Sequence, residues 1–219
     1  MNFSVSEENY IKSIYHLQQE TGLVNTNSLA AEMQTKAASV TDMLKKLSTK
    51  KILQYEKYKG FKLTENGKKV ALSVVRKHRL WEYFLVEKLG FEWDKVHDIA
   101  EQLEHVVSNE LIEQLDEHLG YPKTDPHGDL IPDAKGRFVK NSSKPLSDCR
   151  KGDKVKFIGV AEHSNSFLQY LTKSNIKLGD ELLVEMIEDF DNSFEVKVNR
   201  KDRKLLSKDV VKNLLVVSL

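Results

Sequence analysis

The sequence predicts a mainly α-helical chain with a small β content: a winged helix-turn-helix at the start, further helices after it and a β-rich domain at the end. Three observations predict it. Apolar residues return at helical spacing through most of the first 120 positions, two short β-prone runs interrupt them between residues 52 and 64, and from residue 153 apolar and polar side chains alternate.

Taken in order, "SEENYIKSIYHLQQETG" sets Tyr10, Ile11, Ile14, Tyr15 and Leu17 at helical spacing, with Ser6 able to cap the helix and Gly22 able to stop it. "NTNSLAAEM" reads as a short helix capped by Asn27 or Ser28. "KAASVTDMLKKLSTK" places Val40, Met43, Leu44 and Leu47 on one side, with Ser39, Thr41, Asp42, Lys45 and Lys46 on or beside the other. "ILQYEKYKGFKLT" is a hairpin signal centred on Tyr58, Lys59 and Gly60. Helix, short helix, turn, helix and basic hairpin make the winged order. "TENGKKVALSVVRKHRLWEYFLVEKLG" is a long helix opened near Thr64 and stopped by Gly90. "VHDIAEQLEHVVSNEL", residues 96 to 111, is another amphipathic helix, and "NELIEQLDEHLG" one more. Pro122, Pro126, Pro132, Pro145 and several glycines break all periodicity from 121 to 153, which predicts a connecting segment. Strands then follow in "DKVKFIGV", "DELLVEMI", "SFEVKVN" and "KNLLVVSL", with one helix at "SFLQYLTKSN".

The 219 residues, 40% apolar and 31% charged, can bury a substantial core. No run approaches the roughly 20 apolar residues of a membrane span, and the first residues lack the basic-then-apolar order of a secretory signal, so the expected location is cytoplasmic, with no membrane partner. The single Cys149 excludes an internal disulfide and a thiolate zinc site. The net charge of +1 hides a segregation of sign. Residues 36–69 hold ten lysines against Asp42, Glu56 and Glu65, whereas residues 82–133 hold fourteen acids against Lys88, Lys95 and Lys123. A basic segment suits a polyanion, and an acidic one suits cations or simple solubility.

On a continuous helix His97, Glu101, Glu104 and His105 would share a sector of about 100°, opposite Val96, Ile99, Leu103, Val106 and Val107. In the preceding helix His78 and Glu82 stand at i and i+4, where two side chains can reach one ion. Imidazoles and carboxylates without thiols suit Mn²⁺ or Fe²⁺, although a solvated polar face has the same pattern. Catalytic motifs are absent: there is no HExxH, GxSxG, Walker loop or GxGxxG. The basic segment offers Ser39, Thr41 and Asp42 for base edges and Lys36, Lys45, Lys46, Lys57 and Lys59 for phosphates.

With "ENYIKSIYHL", "SVTDMLKKL", "ILQYEKYKGFKLTENGKK", "VRKHRLWEYFL", "VHDIAEQLEHVVSNEL" and "DPHGDLIP" in that order, the chain resembles the diphtheria toxin repressor and manganese transport regulator family of metal-dependent transcription factors over nearly its whole length. The resemblance implies a DNA-binding domain at 1–73, a helical metal-binding and dimerisation domain at 74–140 and an SH3-like (FeoA-like) domain at 150–219. It implies a primary metal site of Asn9, Glu101, Glu104 and His105, and an ancillary site of His78, Glu82 and His97 completed by Glu162, with His163 and Asn165 as neighbours. The implied function is a homodimeric repressor, not an enzyme, in which Mn²⁺, or alternatively Fe²⁺, favours binding to a palindromic double-stranded DNA operator of metal-uptake genes, with no small-molecule substrate. A non-haem metal enzyme and a metal-independent winged-helix adaptor are the alternative readings.

Departures from the family pattern carry information. Iron-type members have cysteine where Glu101 stands and methionine where Asn9 stands, so the resemblance points to the manganese branch. Manganese-type members usually have aspartate at the Asn9 position, some two-domain members have a carboxylate at Lys12, and Asp125 stands where relatives often have cysteine.

Overall fold

The computed structural model describes residues 3–56, 59–140 and 142–219. The chain forms two compact units, Met1–Trp81 with Ala100–Gly120 and Ile131–Phe138, and Glu82–Ile99 with Tyr121–Leu130 and Val139–Leu219.

In the first unit α1 (Val5–Thr21) begins with a reciprocal cap: the Ser4 hydroxyl accepts the Glu7 N–H, and the Glu7 carboxylate accepts the Ser4 N–H. The cap is thus Ser4, two residues before the expected Ser6, because only Ser4 has glutamate three positions on. Helix α2 (Thr26–Glu32) is likewise capped by Asn25, whose side-chain oxygen accepts the Ser28 N–H, and not by Asn27 or Ser28. Helix α3 (Ala37–Thr49) buries Val40, Leu44 and Leu47. These side chains join Ile11, Ile14, Leu29, Phe61 and Leu63 in one core. Strands β1 (Leu53–Glu56) and β2 (Gly60–Leu63) pair antiparallel, from Leu53 opposite Leu63 to Glu56 opposite Gly60. Val24 bridges to Phe61 as a third short partner. Gly60 has φ +128°, and a Cβ there would meet the Val24 carbonyl oxygen at 2.3 Å, so glycine is what lets the hairpin approach.

Helix α4 (Glu65–Glu87) opens with the Thr64 hydroxyl accepting the Gly67 N–H. Its end is closed by Gly90, at φ +72°, whose N–H donates to the Val86 carbonyl. Helix α5 (His97–Leu103) is shorter than periodicity predicts: Glu104 and His105 lie in the turn after it. Ser108 is already extended as the cap of α6 (Asn109–His118), and β-branched Val106 and Val107 precede it, so the chain has to turn first. In the first unit α6 buries Ile112 and Leu115.

The second unit is built on a six-stranded antiparallel sheet ordered β3-β8-β4-β5-β6-β7, with β3 (Lys144–Pro145), β4 (Lys154–Val160), β5 (Glu181–Ile187), β6 (Phe194–Val198), β7 (Asp202–Leu206) and β8 (Leu214–Ser218). Helix α7 (Asn165–Lys173), capped by Ser164, and the single turn α8 (Lys208–Val211) complete it. Phe157, Leu168, Leu171, Val184 and Val216 are among its fully buried side chains. Residues 121–130 are not a free connector. The Asp125 carboxylate accepts the N–H groups of His127 and Asp129, and the Val160 N–H donates to the His127 carbonyl, which fixes this segment on β4.

Candidate metal centre

Each unit holds a cluster of imidazole and carboxylate of its own. In the first, Glu104 is fully buried. Lys12, from the middle of α1, donates to both its oxygens at 2.7 and 2.9 Å and to Glu101 Oε1 at 2.6 Å. His78 Nδ1 lies 2.6 Å from Glu104 Oε2, so the buried carboxylate is held by an ammonium and an imidazole together. His105 turns to Glu8, at 2.7 Å, with its other nitrogen 3.6 Å from Glu104. The Asn9 amide oxygen is buried with no hydrogen-bond partner among the described residues. Ligand atoms of His78, Glu101 and Glu104 lie within 4.8 Å of one another, a spacing suited to an ion. The charge arrangement does not fit one, because the Lys12 ammonium already takes the oxygens a divalent cation would need.

In the second unit the ligand atoms of Glu82, Asp125 and His127 lie within 4.8 Å of one another, and all three residues are buried. His127 Nδ1 stands 3.6 Å from Glu82 Oε2 and 4.0 Å from Asp125 Oδ1. Its Nε2 is 2.8 Å from the Trp93 carbonyl, which only accepts, so that nitrogen carries a proton and Nδ1 faces the carboxylates. Burial works against charge on this ring, but the Glu82 and Asp125 carboxylates and the Trp93 carbonyl outweigh it and raise the pKa to about 9. The indole of Trp93 stacks on the ring at 6.0 Å between centroids, and its N–H donates to Thr172. Gly128, at φ +90°, makes the placement possible: a Cβ there would meet the Ile158 carbonyl oxygen at 2.1 Å. His97 Nδ1 approaches Glu82 Oε1 at 3.5 Å from an exposed position. With oxygen and imidazole donors, no thiolate and an unprotonated Nδ1 available once the ring loses its extra proton, this set fits a borderline divalent ion.

Of the sequence-derived candidates, His97 and Glu82 come together in the second unit, and His78, Glu101 and Glu104 come together in the first, where His105 adjoins them. Glu162 is exposed and accepts the Ser164 N–H at 2.8 Å, which keeps its carboxyl below the ordinary carboxylate range. His163, next to it, sets its ring edge against His127 at 5.4 Å and its Nε2 3.6 Å from Asp129.

Comparison with known proteins places these residues in context. Residues 2–61 match the iron dependent repressor N-terminal DNA-binding domain, residues 64–133 the iron dependent repressor metal-binding and dimerisation domain, and residues 144–218 the FeoA domain. The HTH-type transcriptional regulator MntR of Oceanobacillus iheyensis is 34% identical over 143 residues, 65% of this chain and 95% of that protein. The chain belongs to the iron-dependent repressor family. MntR of Bacillus subtilis is 33% identical over 144 residues, 64% of this chain and 92% of the relative. A solved structure described as a manganese-dependent transcriptional repressor in complex with manganese superposes with a TM-score of 0.87 at 33% identity, covering 97% of this chain and 99% of the other. Both curated relatives are named transcriptional regulators, so the role of this family member is regulatory and not enzymatic. Its architecture is the expected one, helical DNA-binding and dimerisation parts followed by the FeoA sheet domain.

For this family member the DNA-facing candidates are legible on α3. Ser39, Thr41, Asp42, Lys45 and Lys46 are exposed, as are Lys36 before the helix and Lys59 in the hairpin, while Lys57 lies outside the described residues. The sequence reading passed over Glu8 and His127 as site residues. Glu8 carries no motif of its own, but His127 sits in "DPHGDLIP", a segment already marked by the resemblance.

Proposed function

We propose that this chain is a metal-dependent DNA-binding transcriptional repressor of manganese (or iron) uptake genes. It acts in the cytoplasm as a homodimer on a palindromic operator, without a small-molecule substrate. The observation that carries the reading is the buried Glu82–Asp125–His127 set with His97 beside it, in a chain whose α3 exposes a short polar and lysine-rich face. Residues 1–73 then read DNA, residues 74–140 dimerise and supply ligands, and residues 150–219 support the site.

The ion is Mn²⁺, with Fe²⁺ as the alternative, because the donors are carboxylate and imidazole and none is sulfur. When bound it supplies positive charge that Glu82 and Asp125 share; the protein holds those two carboxylates together and presents His127 Nδ1 through the Trp93 hydrogen bond. Glu101 and Glu104, implied by the family resemblance as ligands, hold the Lys12 ammonium instead, and His78 lies against Glu104. An ion that prefers the operator-competent arrangement by ~3 kcal/mol changes its population by roughly two orders of magnitude. On DNA, Ser39, Thr41 and Asp42 face base edges while Lys36, Lys45, Lys46, Lys57 and Lys59 neutralise phosphates.

The test is binding of an operator fragment titrated with Mn²⁺, Fe²⁺ and Zn²⁺ at fixed salt. Tight binding only with metal, strongest for Mn²⁺ or Fe²⁺ and abolished by Glu82→Gln, is the expected result. Equal binding in a chelator would refute metal dependence, and turnover of a bound substrate would favour an enzyme.

A further inference from the structure

The three short contacts of Lys12 use all the hydrogens its ammonium has to give: 2.6 Å to Glu101 and 2.7 and 2.9 Å to the two oxygens of Glu104. Its side chain is only 12% exposed, and Glu104 is not exposed at all. Each oxygen of Glu104 is engaged, Oε2 also by His78 at 2.6 Å. We infer that Lys12 is the resident cation of this cluster: a tethered ammonium does there permanently what a divalent ion would do reversibly, so the Glu101–Glu104–His78 cluster takes no metal.

The physical case rests on charge and on connectivity. A divalent ion within bonding distance of Glu101 and Glu104 would lie against the ammonium, and like charges at that range repel strongly in a water-poor site. For the ion to enter, Lys12 would have to withdraw from a position where all its donors are satisfied. Asn9, one turn earlier on α1, offers a neutral amide oxygen and no compensating charge. The same contacts fasten α1 to residues 101–104, and Glu8 to His105 adds a second tie at 2.7 Å. The union of the first helix with the "EQLEH" segment is therefore present before any ion arrives. The inference deepens the proposed function and rests on it only for the choice of Mn²⁺ as probe.

The test counts Mn²⁺ bound to the full-length chain by electron paramagnetic resonance of the free ion, at about 100 times a micromolar dissociation constant. In the Glu82→Gln, His127→Ala background, Lys12 intact, no bound Mn²⁺ is expected. Adding Lys12→Ala, or the near-isosteric neutral Lys12→Gln, is expected to create one site per protomer, removed again by Glu104→Gln. One Mn²⁺ bound in the background while Lys12 is present, and lost with Glu104→Gln, would overturn the inference. So would the absence of any gain in Lys12→Ala and Lys12→Gln proteins that are folded by circular dichroism. Should the unaltered chain bind none while the Lys12 variants gain one, the inference stands and the metal-sensing reading of Glu82, Asp125 and His127 fails.

Discussion

Replacing Lys45 and Lys46 by alanine separates groove docking from every other use of α3. Both side chains are exposed, and the ion pair of Lys45 with Asp42, at 3.3 Å, joins groups that are 71% and 73% exposed. Such a pair contributes less than about 1 kcal/mol, so the double variant should unfold within about 1 kcal/mol of the parent. On DNA the effect is much larger. Two lysines per protomer make four per dimer, and each phosphate contact contributes about 0.9 to the slope of log affinity against log salt. If all four touch phosphate, the slope falls by up to about 3.6, so that over a fourfold rise in salt the parent loses roughly 150-fold more affinity than the variant. Fluorescence anisotropy of a labelled operator, titrated at several salt concentrations with saturating Mn²⁺, measures both slopes. An unchanged slope, or a loss confined to one DNA sequence, would refute the assignment of these lysines to the backbone.

Three other outcomes follow from the geometry. In a chelator, Lys12→Met leaves the buried Glu104 carboxylate without its main counter-charge and should cost ~3 kcal/mol, about 6–12 °C in Tm; a loss under about 1 kcal/mol would show that the ammonium is dispensable. Gly128→Ala forces a Cβ against the Ile158 carbonyl oxygen at a left-handed backbone position, and should destabilise the β-rich unit by about 3 kcal/mol and weaken Mn²⁺ binding, read by thermal unfolding with and without the ion. Burial opposes the charge of Glu7, but Lys50 at 2.7 Å and the Ser4 N–H hold its carboxyl below the ordinary carboxylate value. Its stabilisation is thus present above the unfolded pKa and lost as pH falls through the folded one: Glu7→Gln should cost about 1 kcal/mol at neutral pH, with the deficit closing as pH falls below the ordinary carboxylate value in urea titrations. A deficit independent of pH would place the loss in packing.

Much of this was legible in the residues. The buried positions Val40, Leu44 and Leu47 of α3 follow directly from their spacing, and the alternation of "KVKFIGV" and "FEVKV" follows from a sheet with one buried face. Strand β7 escaped because "DRKLL" lies at the sheet edge, where charge is what protects an exposed backbone, so its polarity hides the strand. The face shared by His97, Glu101, Glu104 and His105 was drawn on an uninterrupted helix; the turn after Leu103 re-aims Glu104 and His105, and periodicity cannot see a helix end that lacks glycine or proline. His127 was hidden for a different reason. Its ligand geometry comes from a loop stitched to β4 by backbone hydrogen bonds, contacts some thirty residues apart that no local pattern encodes.

The stitching of that loop bears on how such proteins can be shortened. Trp93 leans on Thr172, Asp94 accepts from Gln169, and the carbonyl of His127 takes the Val160 N–H. A version ending near residue 140 would keep Trp93, whose carbonyl sets the His127 tautomer, but would lose the α7 side chains that brace Trp93 and Asp94 and the β4 N–H that holds the His127 loop. A graft of the sheet domain onto a shorter relative should hold this loop in place only if residues 82–99 and 121–130 travel with it.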